Sequence, residues 1–277
     1  MRLGNRVALI TGGGRGIGRA MALAYAKEGA SLALAARSRE ELQETSRLVE
    51  ALGASVCIIP TDVTDHAQVK AMVRDALDRF SRIDVLINNA GIAGPVGSIQ
   101  DNDVASWIET VQVNLIGTFL CCREVLPTML EQDRGKIINL SGGGGMAAWG
   151  ELSAYCSSKA AVVRLTEGLA IELAGTNVQV NVLGPGSINT RLWENLRDSA
   201  KESGSADIYD VGQRVTSGGG ASIEKAAELA VFLASDESGN LSGRLIHSLL
   251  DDFWGLPPLI PEIMASDAYL LRRQELG

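Results

Sequence analysis

The stretch Val7-Ala-Leu-Ile-Thr-Gly-Gly-Gly-Arg-Gly-Ile-Gly18 decides the fold. Four apolar residues and a threonine make a short buried-type strand. Glycines follow, and then a helical pattern over 19–28. Strand, glycine turn and helix in this order form a nucleotide site. The glycines turn the chain sharply and let a diphosphate approach the N-terminus of the helix, where free N–H groups and the helix dipole favour anions. The other reading is a turn that only packs strand against helix. Gly12, Gly16 and Gly18, with Arg15 and Ile17 between them, give G-x-x-x-G-x-G rather than the commoner G-x-G-x-x-G.

Outward from this turn, strands and helices alternate. Strands are predicted at 31–36, 55–59, 83–87, 178–183 and 244–249, with another ending near Ser141; helices at 40–52, 68–80, 104–131, 223–234 and from Tyr155 onward. This alternation predicts a parallel sheet with helices on both faces. The second strand ends Ala35-Ala36-Arg37-Ser38-Arg39. A carboxylate here would bind a ribose 2′-hydroxyl and favour NAD; Ala36 offers none. Arg37 and Arg39, with Arg15 in the glycine loop, instead offer guanidinium groups that match a 2′-phosphate, which predicts NADP(H). The competing reading pairs Arg37 and Arg39 with Glu40 and Glu41 on a solvated helix start. Asp62-Val63 stands where an adenine amino group would be bound, or serves as a helix-start carboxylate. Asn88-Asn-Ala-Gly91 closes the fourth strand, at a crevice position or in a plain polar turn.

The 277 residues carry 25 basic and 33 acidic side chains, a net charge of −8. That argues against nucleic acid or an anionic membrane as the main partner. No apolar run is counted as long enough to span a bilayer, and the N-terminus shows no signal peptide. Cys57, Cys121, Cys122 and Cys156 have no paired spacing, which suits free thiols and a cytoplasmic setting. Neither His66 nor His247 lies near a cysteine in a ligand spacing, so no metal site is expected.

Chemistry points to 136–159, where Lys-Ile-Ile-Asn-Leu-Ser141 runs into Gly142 to Gly145 and then Ser153-Ala-Tyr155-Cys-Ser-Ser-Lys159. Tyr155 and Lys159 stand one helical turn apart, close enough for the ammonium to lower the phenol's pKa and make proton exchange feasible.

Thr-Gly-x3-Gly-x-Gly, Asn-Asn-Ala-Gly and Tyr-x3-Lys, in this order, resemble the short-chain dehydrogenase/reductase family over roughly residues 5–250. The resemblance implies a single Rossmann-type domain over 1–277, with a doubly wound sheet of seven parallel strands. It implies hydride transfer between NADP(H) and a carbonyl or secondary alcohol. Asn88 is expected to support the strand ends. Asn89, Ala90 and Gly91 would line the adenosine side, and Asn114 would hold a proton-relay water. Tyr155 is the expected general acid/base and Lys159 its pKa modifier, which also binds the nicotinamide ribose. Pro185, Gly186, Ile188 and Thr190 are expected to wall the nicotinamide.

One departure stands out. The family's usual substrate-binding serine falls on Gly142. Three donors are open: Ser141 swung into place, Ser153, or the backbone N–H groups of Gly142 to Gly144. Ser141 is the choice for the catalytic set. Residues 192–222, polar and glycine-rich, are expected to form a mobile substrate lid. Trp193, Met146 and Trp149 suggest a partly apolar pocket. The residues after the last strand, His247-Ser-Leu-Leu-Asp-Asp-Phe-Trp254, depart from the family's Asn-Gly-Gly and put its usual tetramer contacts in doubt. The extension 255–277, with a short helix over 265–274, would reach a neighbouring subunit or cover a pocket. A homodimer or homotetramer is expected. The alternatives are a non-catalytic NADP(H) sensor and a 3-oxoacyl-acyl-carrier-protein reductase. An acyl carrier protein would need a basic docking patch, and none is visible at 172–177.

Overall fold

The computed structural model describes residues 1–272. Its apolar strands are β1 (Val7–Thr11), β2 (Ser31–Ala36), β3 (Val56–Pro60), β4 (Val85–Asn88), β5 (Gly135–Leu140), β6 (Val178–Gly184) and β7 (Leu245–His247). They form one sheet in the order β3-β2-β1-β4-β5-β6-β7, with every pair parallel. The order reverses between β1 and β4, so the crevice outside their carboxyl ends is where a ligand fits.

Strand residues alternate between two apolar layers. Ala8 and Ile10 pack with α1 (Gly16–Lys27), α2 (Arg39–Glu50) and, further along the chain, a helix over Ile223–Ala234. Leu9, Leu86 and Ile137 pack on the opposite face with α3 (His66–Phe80) and a long helical run. Burial on both faces explains why the strands read as unbroken apolar runs.

The long run comprises α4 (Val104–Val111), a π-helical turn (Gln112–Ile116) and α5 (Gly117–Glu131). By length and composition it would cross a membrane, contrary to the sequence reading, but half of its apolar window is buried inside the fold. α6 (Ser153–Glu172) carries Tyr155 and Lys159.

Residues 192–222, the segment expected to form a substrate lid, fold as α7 (Arg191–Ser203), α8 (Ala206–Arg214) and a π-turn (Val215–Gly219). Trp193, Leu196, Ala200, Ile208 and Val215 bury one apolar stripe against Ala93, Val96 and Leu152. The cap is therefore a folded helical pair.

The last long helix, α9 (Ile223–Ala234), precedes β7. The tail's helix is α10 (Ile260–Met264). The expected helix at 265–274 is absent over its described part, 265–272, and 273–274 lie outside the described residues. The described part of the tail, 255–272, packs on its own chain. Leu245 N–H donates to the Tyr269 carbonyl at 2.9 Å along the open edge of β7. Arg244 Nη2 donates to the Ile263 and Ser266 carbonyls at 2.9 and 3.1 Å. Buried Glu167 on α6 accepts from Leu271 N–H at 2.8 Å and from Arg272 at 3.1 Å.

Candidate active site

The glycine turn is built for close approach. Gly12 has φ 64°, in the left-handed region, and a Cβ on Gly18 would lie 2.2 Å from the Gly12 carbonyl oxygen. Arg15 precedes α1 in extended conformation, and no side chain caps the helix. Its first N–H groups are thus left for an anion. Arg19 and Thr45, which the sequence did not flag, brace the turn: Arg19 Nη2 and Thr45 Oγ1 donate to the Gly14 carbonyl at 2.7 and 2.8 Å. Asn89 Nδ2 donates to the carbonyls of Thr11 and Gly12 at 2.9 and 3.1 Å, so its amide fixes the turn. Thr11 Oγ1 accepts from the N–H groups of Asn89 and Ala90, both at 3.1 Å.

A cleft of about 650 Å³ runs from this turn to Tyr155. Gly12, Arg15, Gly16, Ile17, Arg37, Asp62, Val63, Ala90, Gly91, Pro185, Gly186, Ile188 and Thr190 all line it. The helix-start role proposed for Asp62 belongs to Asp65, which accepts from Ala67 and Gln68 N–H at 2.9 and 3.2 Å. Asp62 stays at the cleft, its Oδ1 holding Thr64. Among the described residues neither Arg37 nor Arg39 makes an ion pair. It is Arg15 that meets Glu41, at 2.9 Å, and Arg191 on α7 meets the same oxygen at 3.3 Å. Glu41 and Arg191 therefore join the site, linking glycine turn, α2 and cap.

At the other end, Asn114 sits in the π-turn, a distortion frequent at functional sites. Its Oδ1 accepts from Ile92 N–H at 2.9 Å; its Nδ2 donates to Ile92 O and Ser158 Oγ, both at 3.0 Å. This satisfied, buried amide clamps the loop after β4 to α6. Asn88 Nδ2 likewise donates across the sheet to Asn139 Oδ1 at 2.9 Å.

Lys159 is buried, and its Nζ donates to the Leu140 carbonyl at 3.0 Å. Burial pulls it down to about 8 and pushes the Tyr155 phenol up to about 12. The expected lowering of the phenol by the lysine is not seen in this state: burial, and then Cys156, both raise it.

A Cβ on Gly142 would lie 2.2 Å from Tyr155 Oη, so position 142 faces the phenol. Ser141 also lines the cleft, but its hydroxyl is directed away from the phenol's side of the strand end, to the Lys159 carbonyl at 3.4 Å. This is the alternation of an extended chain, and the glycine run does not twist it away. The expected swing of Ser141 toward the substrate is therefore not seen. Ser153 is also engaged elsewhere, its Oγ accepting from Trp107 Nε1 at 3.0 Å. The third candidate remains: among the described residues the N–H groups of Gly142, Gly143 and Gly144 make no hydrogen bond, and all three glycines line the cleft. Trp149 and Trp193 wall this end, 6.1 Å apart, with Leu152, Leu192 and Leu196; Met146 does not line it.

Known proteins agree with this architecture. The short chain dehydrogenase family model matches residues 6–201. The 3-oxoacyl-acyl-carrier-protein reductase FabG of Thermotoga maritima is 36% identical over 246 residues, covering 89% of this chain and 97% of its own. Levodione reductase of Leifsonia aquatica is 40% identical over 196 residues, 70% of this chain and 73% of its own. Among solved structures, a levodione reductase superposes with TM-score 0.83 at 33% identity, covering 93% of this chain and 99% of that one. An NAD+-bound xylitol dehydrogenase gives 0.84 at 29% identity, with coverage of 89% and 98%. The chain belongs to the short-chain dehydrogenase/reductase family of oxidoreductases.

Proposed function

We propose that this enzyme reduces a ketone to a secondary alcohol, and runs the reverse reaction, with NADP(H) as cofactor and Tyr155 as proton donor. The observation that carries the reading is the placing of the Tyr155 phenol over Gly142, in the same cleft as the uncapped N-terminus of α1. The residues present fit a dinucleotide: a glycine turn closed by Gly18, a carboxylate at Asp62, and Pro185 to Thr190 as the far wall. When bound, the nicotinamide supplies or accepts the hydride. Ala36 and the unpaired, exposed Arg37 favour a 2′-phosphate, with Arg15 sharing its charge between phosphate and Glu41.

In the free enzyme the phenol is protonated at neutral pH, as a donor to a carbonyl oxygen must be. Lys159 and Asn114 flank Gly91: a Cβ there would lie 3.4 Å from Lys159 Nζ and 3.1 Å from Asn114 Oδ1. Lys159 sets the charge beside the phenol, and Asn114 holds the loop that positions both. The free N–H groups of Gly142 to Gly144 take the place of a hydroxyl donor and stabilise negative charge developing on the substrate oxygen. Tyr155→Phe is expected to remove turnover of a ketone panel and leave NADPH binding, read by nucleotide fluorescence, near that of the parent. Turnover that survives the change would withdraw Tyr155 from the role.

A second reading, reduction of a 3-oxoacyl thioester, is favoured by the likeness to the Thermotoga maritima enzyme. A sensor that binds the nucleotide without chemistry is separated by the same panel, as binding without turnover. Self-association as a dimer or tetramer is supported by Ile108, Phe119 and Leu130, exposed at eleven-residue spacing along α4 and α5; light scattering tests it. Four free cysteines fit a reducing compartment.

A further inference from the structure

The substrate end of the cleft has a definite chemistry. Around Tyr155 stand Ala93, Trp149, Leu152, Trp193 and Leu196. Of the charged side chains among the described residues, Lys159 is turned to the Leu140 carbonyl and Arg191, beside Leu192, is turned to Glu41. A carboxylate or phosphate placed here would lose its water and compete with the Leu140 carbonyl for the Lys159 ammonium. The floor is flat, because Gly142, Gly143 and Gly144 have no side chains. A Cβ on Gly143 would lie 3.2 Å from the Trp149 ring, so the indole depends on that glycine. Two tilted indoles, with planes at 54°, close the end against a flat floor. That shape suits a ring, because aromatic walls bury broad apolar faces.

The way out is equally selective. A second groove of about 300 Å³ shares Ile92, Ala93 and Asn195 with the cleft. Its far wall is one stripe of α7, Asn195, Asp198, Ser199 and Glu202, and no basic residue lines it. Arg197 pairs with Asp198 at 2.8 Å and also reaches Thr216, so among the described residues Glu202 is the stripe's carboxylate without an ion pair. An acyl group on an anionic carrier arm would have to lie along the Glu202 carboxylate with no basic residue lining the groove to offset it.

Resting on the reductase reading above, we propose that the substrate is a compact, uncharged cyclic ketone or the corresponding alcohol. Trp149 and Trp193 select the ring, and the α7 stripe rejects anionic carriers. The test compares kcat/KM with NADPH for 4-methylcyclohexanone, 4-oxocyclohexanecarboxylate and acetoacetyl-coenzyme A. The first two share a ring and differ by methyl against carboxylate. The neutral ring is expected to be favoured by about 100-fold or more over both anions. Trp193→Ala is expected to raise KM for the neutral ring about 10-fold with NADPH affinity kept, and Trp193→Phe to recover most of the loss. The pair Asp198→Asn and Glu202→Gln is expected to narrow the gap for the carboxylate. Equal or better use of the thioester or the carboxylate overturns this proposal while leaving a reductase. NADPH binding with no turnover of any of the three overturns the reductase reading, and this proposal with it.

Discussion

Gly142→Ala isolates the feature that sets this site apart. The glycine has φ −170° and ψ 179°, an extended conformation any residue adopts, so alanine brings no backbone strain. Its methyl would lie 2.2 Å from Tyr155 Oη and 3.2 Å from the ring carbon bearing it. Ordinary contact needs the phenol to retreat by about 1 Å. The displaced atom is the free end of a side chain, so the cost to stability is small, about 1 kcal/mol, the low end for an added methyl. The cost to chemistry is larger. A misplacement of about 1 Å at the reacting atom is worth about 10²-fold in rate, or about 2.7 kcal/mol of barrier. We expect kcat for ketone reduction to fall about 100-fold, with NADPH affinity unchanged, because Gly142 lies at the substrate end. Single-turnover reduction followed by NADPH absorbance reads the chemical step directly. A kcat within twofold of the parent would refute the reasoning, since the phenol could not then work from above Gly142.

Three further outcomes follow from the same geometry. Arg37→Ala is expected to weaken NADPH roughly 10- to 100-fold and leave NADH alone, and Glu41→Gln, by freeing Arg15, to strengthen NADPH; fluorescence titration of both nucleotides decides, and equal effects on NADH would reassign Arg37. The value of kcat/KM for reduction is expected to fall as pH rises through about 8, because Lys159, pulled down by burial, loses its charge there while the phenol, pushed up to about 12, keeps its proton; a limb first appearing above pH 10 would exclude the lysine. Tyr25→Phe removes a 2.7 Å hydrogen bond to the buried Ala230 carbonyl and is expected to cost about 1–2 kcal/mol, lowering Tm by about 2–8 °C in a thermal scan.

Features written in local pattern were legible. Each strand is an apolar run ended by polar or glycine residues, and the cleft residues lie mostly at those ends, so order along the chain gave order around the crevice. Features that depend on distant partners were not. Arg15 pairs with Glu41, 26 residues away, although Arg37 and Arg39 are nearer to it in sequence. No helices were assigned in the cap, where Gly204, Gly212 and Gly218 interrupt a polar stretch, yet Trp193, Leu196 and Ala200 recur at helical spacing. The tail's helix falls earlier than expected, and Pro261 sits in its first turn, where a missing N–H costs nothing. The π-turn at Asn114 has no signal in residue type, since it is one extra residue within an otherwise ordinary helix.

The glycine run and the two tryptophans belong to one arrangement. A side chain at 142 would meet the phenol, one at 143 the Trp149 indole, and one at 144 the Cys156 sulfur at 2.8 Å. Removing all three lowers the floor of the chamber, and Tyr155 and Trp149 settle into the space. Restoring a hydroxyl at 142 would therefore not simply add a donor, because its Cβ would displace the phenol it is meant to assist. Backbone N–H groups are the donors compatible with this packing, and they come with a flat, apolar floor. On the reading proposed here, the same substitution that removes the serine also shapes the pocket for a ring, so the mode of oxygen binding and the choice of substrate are set together.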